Sequence, residues 1–272
     1  MNKKVYIVLI VILVTISVGI YTLYYLSDSG EEENLNGNVD NPTLPSDPAE
    51  PQYKMLVIDD ISNWGYLDGR WLKLYIDDIE DNQFVVYIDN QYLGSYKLKY
   101  GTIWNLFDNN NSYVEYSGKL LAYSENFNVN VPNYEITTVS ENEIREITSI
   151  LNHNINANTL SINEVVNIDL DFNGIDDKIV NVSNLDSLED EQYYFNLCYV
   201  VLNGEIQTLI LDNVEYKDIL AYPVYEINYL LQYDNNNYYS IILQEGYFSN
   251  VGETQNNLYN FTDGNYSLIF SD

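Results

Sequence analysis

One cysteine and one histidine are all that the 272 residues supply of the usual soft metal ligands and catalytic partners. A single cysteine excludes an intramolecular disulfide, so no covalent framework holds the fold. Cys198 lies in an apolar run from Tyr193 to Leu202, where a small buried hydrophobe is expected rather than a nucleophile. It is also too far from the N-terminus to be a lipoprotein acylation site. A Ser-His-Asp or Cys-His enzyme would have to work through His153, which has no nucleophile motif around it. Zinc sites built from His and Cys are excluded on the same ground.

Basic residues are scarce as well: 11 Lys and Arg stand against 41 Asp and Glu, a net charge of −30. Phosphate contacts need Lys and Arg, so nucleic acid is excluded as a partner. Anionic lipid headgroups are disfavoured for the same reason. Divalent cations and cationic polymers are what such a field attracts, although most of these carboxylates do no more than keep the chain soluble. There are six prolines, and Pro42, Pro45, Pro48 and Pro51 fall in one short stretch. Tyrosine, by contrast, is abundant, at 28 against 8 phenylalanines. It suits strands and can stack on sugars, but an AT-rich genome produces the same bias.

Residues 5–26 carry no charge and follow Lys3 and Lys4; Asp28 and Glu31 to Glu33 come after. At ~1.5 Å per residue a helix of this length crosses a bilayer core of ~30 Å. Tyr21, Tyr24 and Tyr25 stand at its outer end as an interfacial belt would. Charge asymmetry puts residues 1–4 in the cytoplasm and everything after residue 26 outside the cell, as a single-pass membrane protein. A cleaved signal peptide is the alternative. Residues 27–52 combine Pro, Gly, Asp and Glu with few apolar residues, the composition of an extended linker.

From Tyr53 onward apolar residues mostly alternate. Strands are expected over 55–58, 71–76, 84–88, 92–98 and 119–123, with short polar turns between them. This first region, 53–134, reads as a small antiparallel β barrel or sandwich. Residues 135–157 hold one amphipathic helix. Ser140 and Glu143 form its capping box, and Ile144, Ile147, Ile150 and Leu151 share a face. His153 is expected at its C-terminal end. Residues 158–272 return to strands, with Asn203-Gly204 the strongest hairpin signal. The chain is thus expected to be mainly β: a transmembrane helix, a first β domain, one connecting helix and a second antiparallel β domain.

The chemistry is concentrated in Asp169-Leu170-Asp171-Phe172-Asn173-Gly174-Ile175-Asp176-Asp177. Asp169, Asp171 and Asn173 occupy positions one, three and five. Ile175 can offer its carbonyl at position seven, and Asp177 stands at position nine. Gly174 permits the sharp turn that lets these oxygens converge. Such a set suits Ca²⁺, which accepts six to eight oxygens in loose geometry, better than octahedral Mg²⁺. Position twelve is Val180, so the loop is not an EF-hand. A solvated Asx-rich turn without an ion is the alternative. The segment is similar to the FG-GAP and VCBS type of calcium loop, D-x-[DN]-x-[DN]-G-x-x-D. Such loops join two strands in integrin-like repeats and in many bacterial surface proteins. That resemblance implies Asp169, Asp171, Asn173 and Asp177 as side-chain ligands. The surrounding region resembles extracellular proteins of Gram-positive bacteria.

Residues 232–239 repeat the strand-turn-strand pattern without the acidic ligands, so no metal is expected there. Asp77 to Asp81 lack the alternating spacing and a glycine, and read as a solvated hairpin turn. The sequons at Asn110, Asn181, Asn260 and Asn265 are of the kind an Asn-rich chain produces by chance. Trp64, Trp71 and Trp104 are candidates for stacking on a sugar, with core packing as the alternative. The function expected from all this is a membrane-anchored extracellular binding or structural module stabilised by calcium. Its partner would be a cell-surface protein or carbohydrate. The alternative is an extracellular hydrolase acting on polysaccharide through two carboxylates.

Overall fold

Alternation in residues 54–58 divides one strand between two cores. Leu56 and Ile58 enter one, and Val57 enters the other. The same split recurs at Leu121 and Tyr123 against Leu120 and Ala122. The computed structural model describes residues 53–271 apart from 81, 153, 185–192, 216–222 and 248–253. The expected membrane segment at 5–26, the linker at 27–52 and His153 lie outside the described residues.

Eight strands form the first sheet: β1 (Lys54–Ile58), β2 (Ser62–Leu67), β3 (Arg70–Lys73), β4 (Gln83–Ile88), β5 (Gln91–Tyr100), β6 (Trp104–Phe107), β7 (Tyr113–Val114) and β8 (Leu120–Ser124). Their order is β3-β2-β1-β8-β4-β5-β6-β7, and every pairing is antiparallel. Left-handed backbone at Asp68-Gly69 and Asp89-Asn90 makes the tight turns. Of the barrel or sandwich expected for 53–134, the barrel is corrected: the sheet is open, with β3 and β7 as its edges. Closure is not required, because the apolar face carrying Leu56, Ile58 and Trp64 is covered by another sheet.

A second correction concerns residues 71–81. The strand ends at Lys73, and Ile76–Ile79 form a one-turn helix, α1, instead of a solvated hairpin turn. The Asp78 carboxylate accepts the Tyr75 N–H at 2.8 Å, and Ile79 is buried with Phe84, Leu98 and Trp104. A local cap and one buried side chain thus override a period-two pattern.

After the short β9 (Val129–Asn130) comes the second sheet, in chain order: β10 (Ile136–Thr137), β11 (Ile162–Ile168), β12 (Asp177–Ser183), β13 (Tyr193–Leu202) and β14 (Glu205–Glu215). The third sheet runs β18-β17-β16-β15-β9, with β15 (Pro223–Tyr233), β16 (Ser240–Tyr247), β17 (Gln255–Thr262) and β18 (Asn265–Ser271). Helix α2 (Glu141–Leu151) starts where expected. Ser140 is its N-cap and accepts the Asn142 N–H at 3.2 Å, while Glu143 accepts the Ser140 N–H at 2.9 Å. Asn152, in the left-handed region at φ 58°, ends it.

These elements stack in layers. Ile147 and Leu151 of α2 pack on Val180, Val182, Phe195 and Leu197 of the second sheet. The opposite face of that sheet packs Ile179, Cys198 and Val200 against Leu230, Ile241 and Leu243 of the third. The third sheet then turns Tyr229, Leu231, Ile242 and Leu258 toward Leu56, Ile58 and Trp64 of the first. The central sheet is covered on both faces, so successive residues are buried along Ile227 to Leu231 of β15 and Ser240 to Leu243 of β16. Each Leu or Ile removed from water contributes roughly 1.5–3 kcal/mol, which makes these three interfaces the main source of stability. The regions expected as two β domains, 53–134 and 158–272, share the last of these cores, and Pro51 to Asp272 form one compact unit.

Candidate metal centre

The loop between β11 and β12 is held from both ends by sheet register. Ile168 pairs with Asp177, so the eight residues between them must fold back over the sheet edge. Leu170 anchors the loop in the core between the second and third sheets and is fully buried. Phe172 and Gly174 take positive φ, 58° and 86°, and a Cβ at Gly174 would meet nothing within 4 Å. Conformation rather than space is what favours glycine there.

This path brings one carboxylate oxygen each from Asp169, Asp171 and Asp177 within 4.8 Å of one another. Asp177 is buried; the other two are partly exposed. Asp169 accepts the N–H groups of Asn173 at 3.0 Å and Gly174 at 2.7 Å. Asp177 accepts Leu170 N–H and Asn203 N–H, both at 3.0 Å. A carboxylate has about four lone-pair sites, so these bonds orient the group and leave acceptor capacity over. None of the three has an ion-pair partner among the described residues; Lys178, the nearest base in sequence, pairs with Glu143 instead.

Burial raises the pKa of Asp177, and the charges of Asp171 and Asp169 raise it further, while the two N–H bonds act in the opposite sense. Three carboxylates this close repel one another in the absence of a cation. An all-oxygen donor set with a buried member can hold a metal ion, and carboxylate oxygens are ligands that suit hard cations.

The structure brings together three of the five residues expected as ligands. Asn173 is in the loop, but its Oδ1 accepts the Ile175 N–H at 2.8 Å and its Nδ2 donates to Asn203. Ile175 is exposed on the loop's outer turn. Asn203 is the residue that local pattern reading missed. It was legible only as half of the Asn203-Gly204 hairpin turn between β13 and β14. Because β12 pairs Lys178 with Val201, that turn arrives beside Asp177. The Asn203 amide then donates to Asp171 at 2.9 Å and accepts from Asn173 at 2.8 Å. The signal is strand register over a distance, not a motif.

Other candidates resolve differently. Trp64 and Trp104 are core residues, and Trp71 is half-buried. Cys198 is fully buried, and burial pushes its thiol pKa far up, which removes it as a nucleophile. Asn181 and Asn260 are buried in strands, out of reach of glycosylation in the folded chain. No helix among the described residues is long and apolar enough to cross a membrane. No protein family, curated protein or solved structure matches this chain.

Proposed function

We propose that this chain is a membrane-anchored extracellular binding or structural module whose β scaffold is fastened by calcium. The observation that carries the reading is the convergence of Asp169, Asp171 and Asp177 at the junction of β11, β12 and the β13–β14 turn. A divalent cation there offsets two of the three carboxylate charges and ties two connections to one point. It would act on rigidity, with Asn173 Oδ1 and the Ile175 carbonyl available to complete the coordination. The D-x-D-x-N-G spacing and its similarity to FG-GAP and VCBS loops favour Ca²⁺ over Mg²⁺. The anchor reading rests on the uncharged residues 5–26 and the lysines before them.

Thermal unfolding of the detergent-solubilised chain tests this. At a Ca²⁺ concentration about 100 times Kd, binding stabilises the folded state by ~2.7 kcal/mol. For a domain of this size that is a rise of roughly 5–10 °C over the chelator-treated protein. Asp171→Asn should lose most of the rise. An equal melt in Ca²⁺ and chelator would reduce the loop to an ordinary Asx turn.

A further inference from the structure

A pocket of about 680 Å³ opens between the β2–β3 hairpin of the first sheet and the β15–β16 turn of the third. One wall is Tyr66, Arg70 and Trp71; the other is Tyr233 with the turn Asp234-Asn235-Asn236-Asn237. Its composition is unusual for this chain. It holds one of only two arginines, three aromatic rings and four side-chain amides, with Gly69, Asp234, Thr262 and Ile269 completing the lining.

The amide wall is preformed. Asn236 donates to Asn260 Oδ1 at 3.0 Å, and Asn260 is itself buried and reaches Tyr233 Oη at 3.4 Å. Asn128 donates to Asn235 Oδ1 at 3.0 Å. Lys54 of β1, outside the lining, pairs with Asp234 at 2.5 Å. On the aromatic side, Trp71 donates to Tyr233 Oη at 3.3 Å, which fixes the indole. The rings around Trp71 lie at 70°, 49°, 56° and 83° to it, so none is stacked parallel on it. Arg70 is exposed and has no ion-pair partner among the described residues, and Asn237 makes no side-chain hydrogen bond among them.

We infer that this pocket binds a saccharide. A pyranose offers a flat C–H face for an aromatic ring and a rim of hydroxyls for amides and a guanidinium, and this lining supplies both. Trp71 takes the ring face; Tyr66 beside it is itself stacked on Phe127. Asn237 and Arg70 take the hydroxyls, and Arg70 also suits the carboxylate of an acidic sugar. The lining has one carboxylate, Asp234, whereas glycoside hydrolysis ordinarily uses two, so the role assigned is binding. The assignment rests on the surface-module reading for its partner class, but not on the metal. The two sites are nonetheless neighbours: Leu170 of the metal loop accepts the Tyr239 N–H at 2.9 Å, two residues beyond the amide wall.

The test is calorimetric titration of the full-length chain in detergent with cello-, chito- and xylo-tetraose and a galacturonate trimer. At least one is expected to bind, with Arg70→Gln, Asn237→Ala and Trp71→Ala each weakening it about tenfold. Arg70 and Asn237 are exposed, so their variants stay informative even if Trp71→Ala does not fold. Binding of none of the four tighter than about 1 mM overturns the assignment. So does binding that is unchanged in both Arg70→Gln and Asn237→Ala. A calcium-dependent melt is recorded on the same sample. A calcium shift without saccharide binding overturns the pocket alone, and saccharide binding without a calcium shift overturns the metal reading alone.

Discussion

The buried carboxylate of Asp177 accepts the backbone N–H of Asn203 at 3.0 Å, and through this bond two connections distant in sequence become one site. Asn203 sits at φ 53° in the hairpin turn, a conformation that Asn and Gly both tolerate. Asn203→Gly therefore keeps the turn and the N–H donor while removing the side-chain bonds to Asp171 and Asn173. The expected result is a Ca²⁺ affinity several-fold weaker. In chelator the loss should stay within about 1 kcal/mol, the net worth of an exposed hydrogen bond. Calorimetric Ca²⁺ titration and a chelator melt read the two effects separately. An unchanged affinity would show that Asn203 only turns the chain.

Glu143 does two jobs, capping α2 and pairing with Lys178 of β12. Burial alone would raise its pKa, but the bonds from Lys178 and Ser140 outweigh burial and hold it at about 2, below its ordinary 4.5. A depressed carboxyl stabilises the fold above its unfolded-state value and loses that contribution as pH falls through its folded-state value. The stability difference between wild type and Glu143→Gln should thus be largest above pH 4.5 and shrink as the pH falls toward about 2. Asp59, Glu164 and Asp212 are shifted upward by burial and titrate in both proteins, so they cancel in the difference. Urea unfolding in chelator across that window measures it. A difference that does not change with pH would mean the carboxylate charge contributes nothing to the pair.

What was legible in the sequence was local. Ser140 and Glu143 marked the helix start, Asn203-Gly204 marked a hairpin, and Asp169 to Asp177 marked the loop. Each signal is contained within a few residues, where backbone conformation and side-chain chemistry act directly. The layer order was not legible. Ile241 and Ile242 are both fully buried, on opposite faces, and an apolar run carries no record of which sheet covers which face. The barrel alternative of the barrel-or-sandwich expectation failed for that reason, because an uncovered apolar face suggests closure unless a later segment supplies the cover. The α1 turn was missed because Leu72, Leu74 and Ile76 keep strand alternation up to the point where Asp78 caps a helix. Asn203 escaped because its role depends on pairing across β12 and β13, fixed only when both strands are laid down.

Tyr229 carries the sharpest test of how well the central interface is satisfied. Its side chain is buried between the first and third sheets, and its hydroxyl has no hydrogen-bond partner among the described residues. Burial, with Asp59 next in effect, pushes its pKa far up, so it stays a neutral phenol at any working pH. A buried hydroxyl left unpaired costs about 1–3 kcal/mol of desolvation. Tyr229→Phe removes that group and keeps the ring that packs on Leu56, Ile58 and Trp64. The expected outcome is a melting temperature equal to wild type or a few degrees higher. A loss of more than about 1 kcal/mol would mean that the hydroxyl is hydrogen-bonded in solution, by a buried water between the sheets. Asn228, adjacent in β15, has an Oδ1 that also lacks a partner among the described residues, which makes it the second contact to test for such a water. Asn228→Ala would then lose less in the Tyr229→Phe background than in wild type, a non-additivity that the double-mutant cycle reads directly.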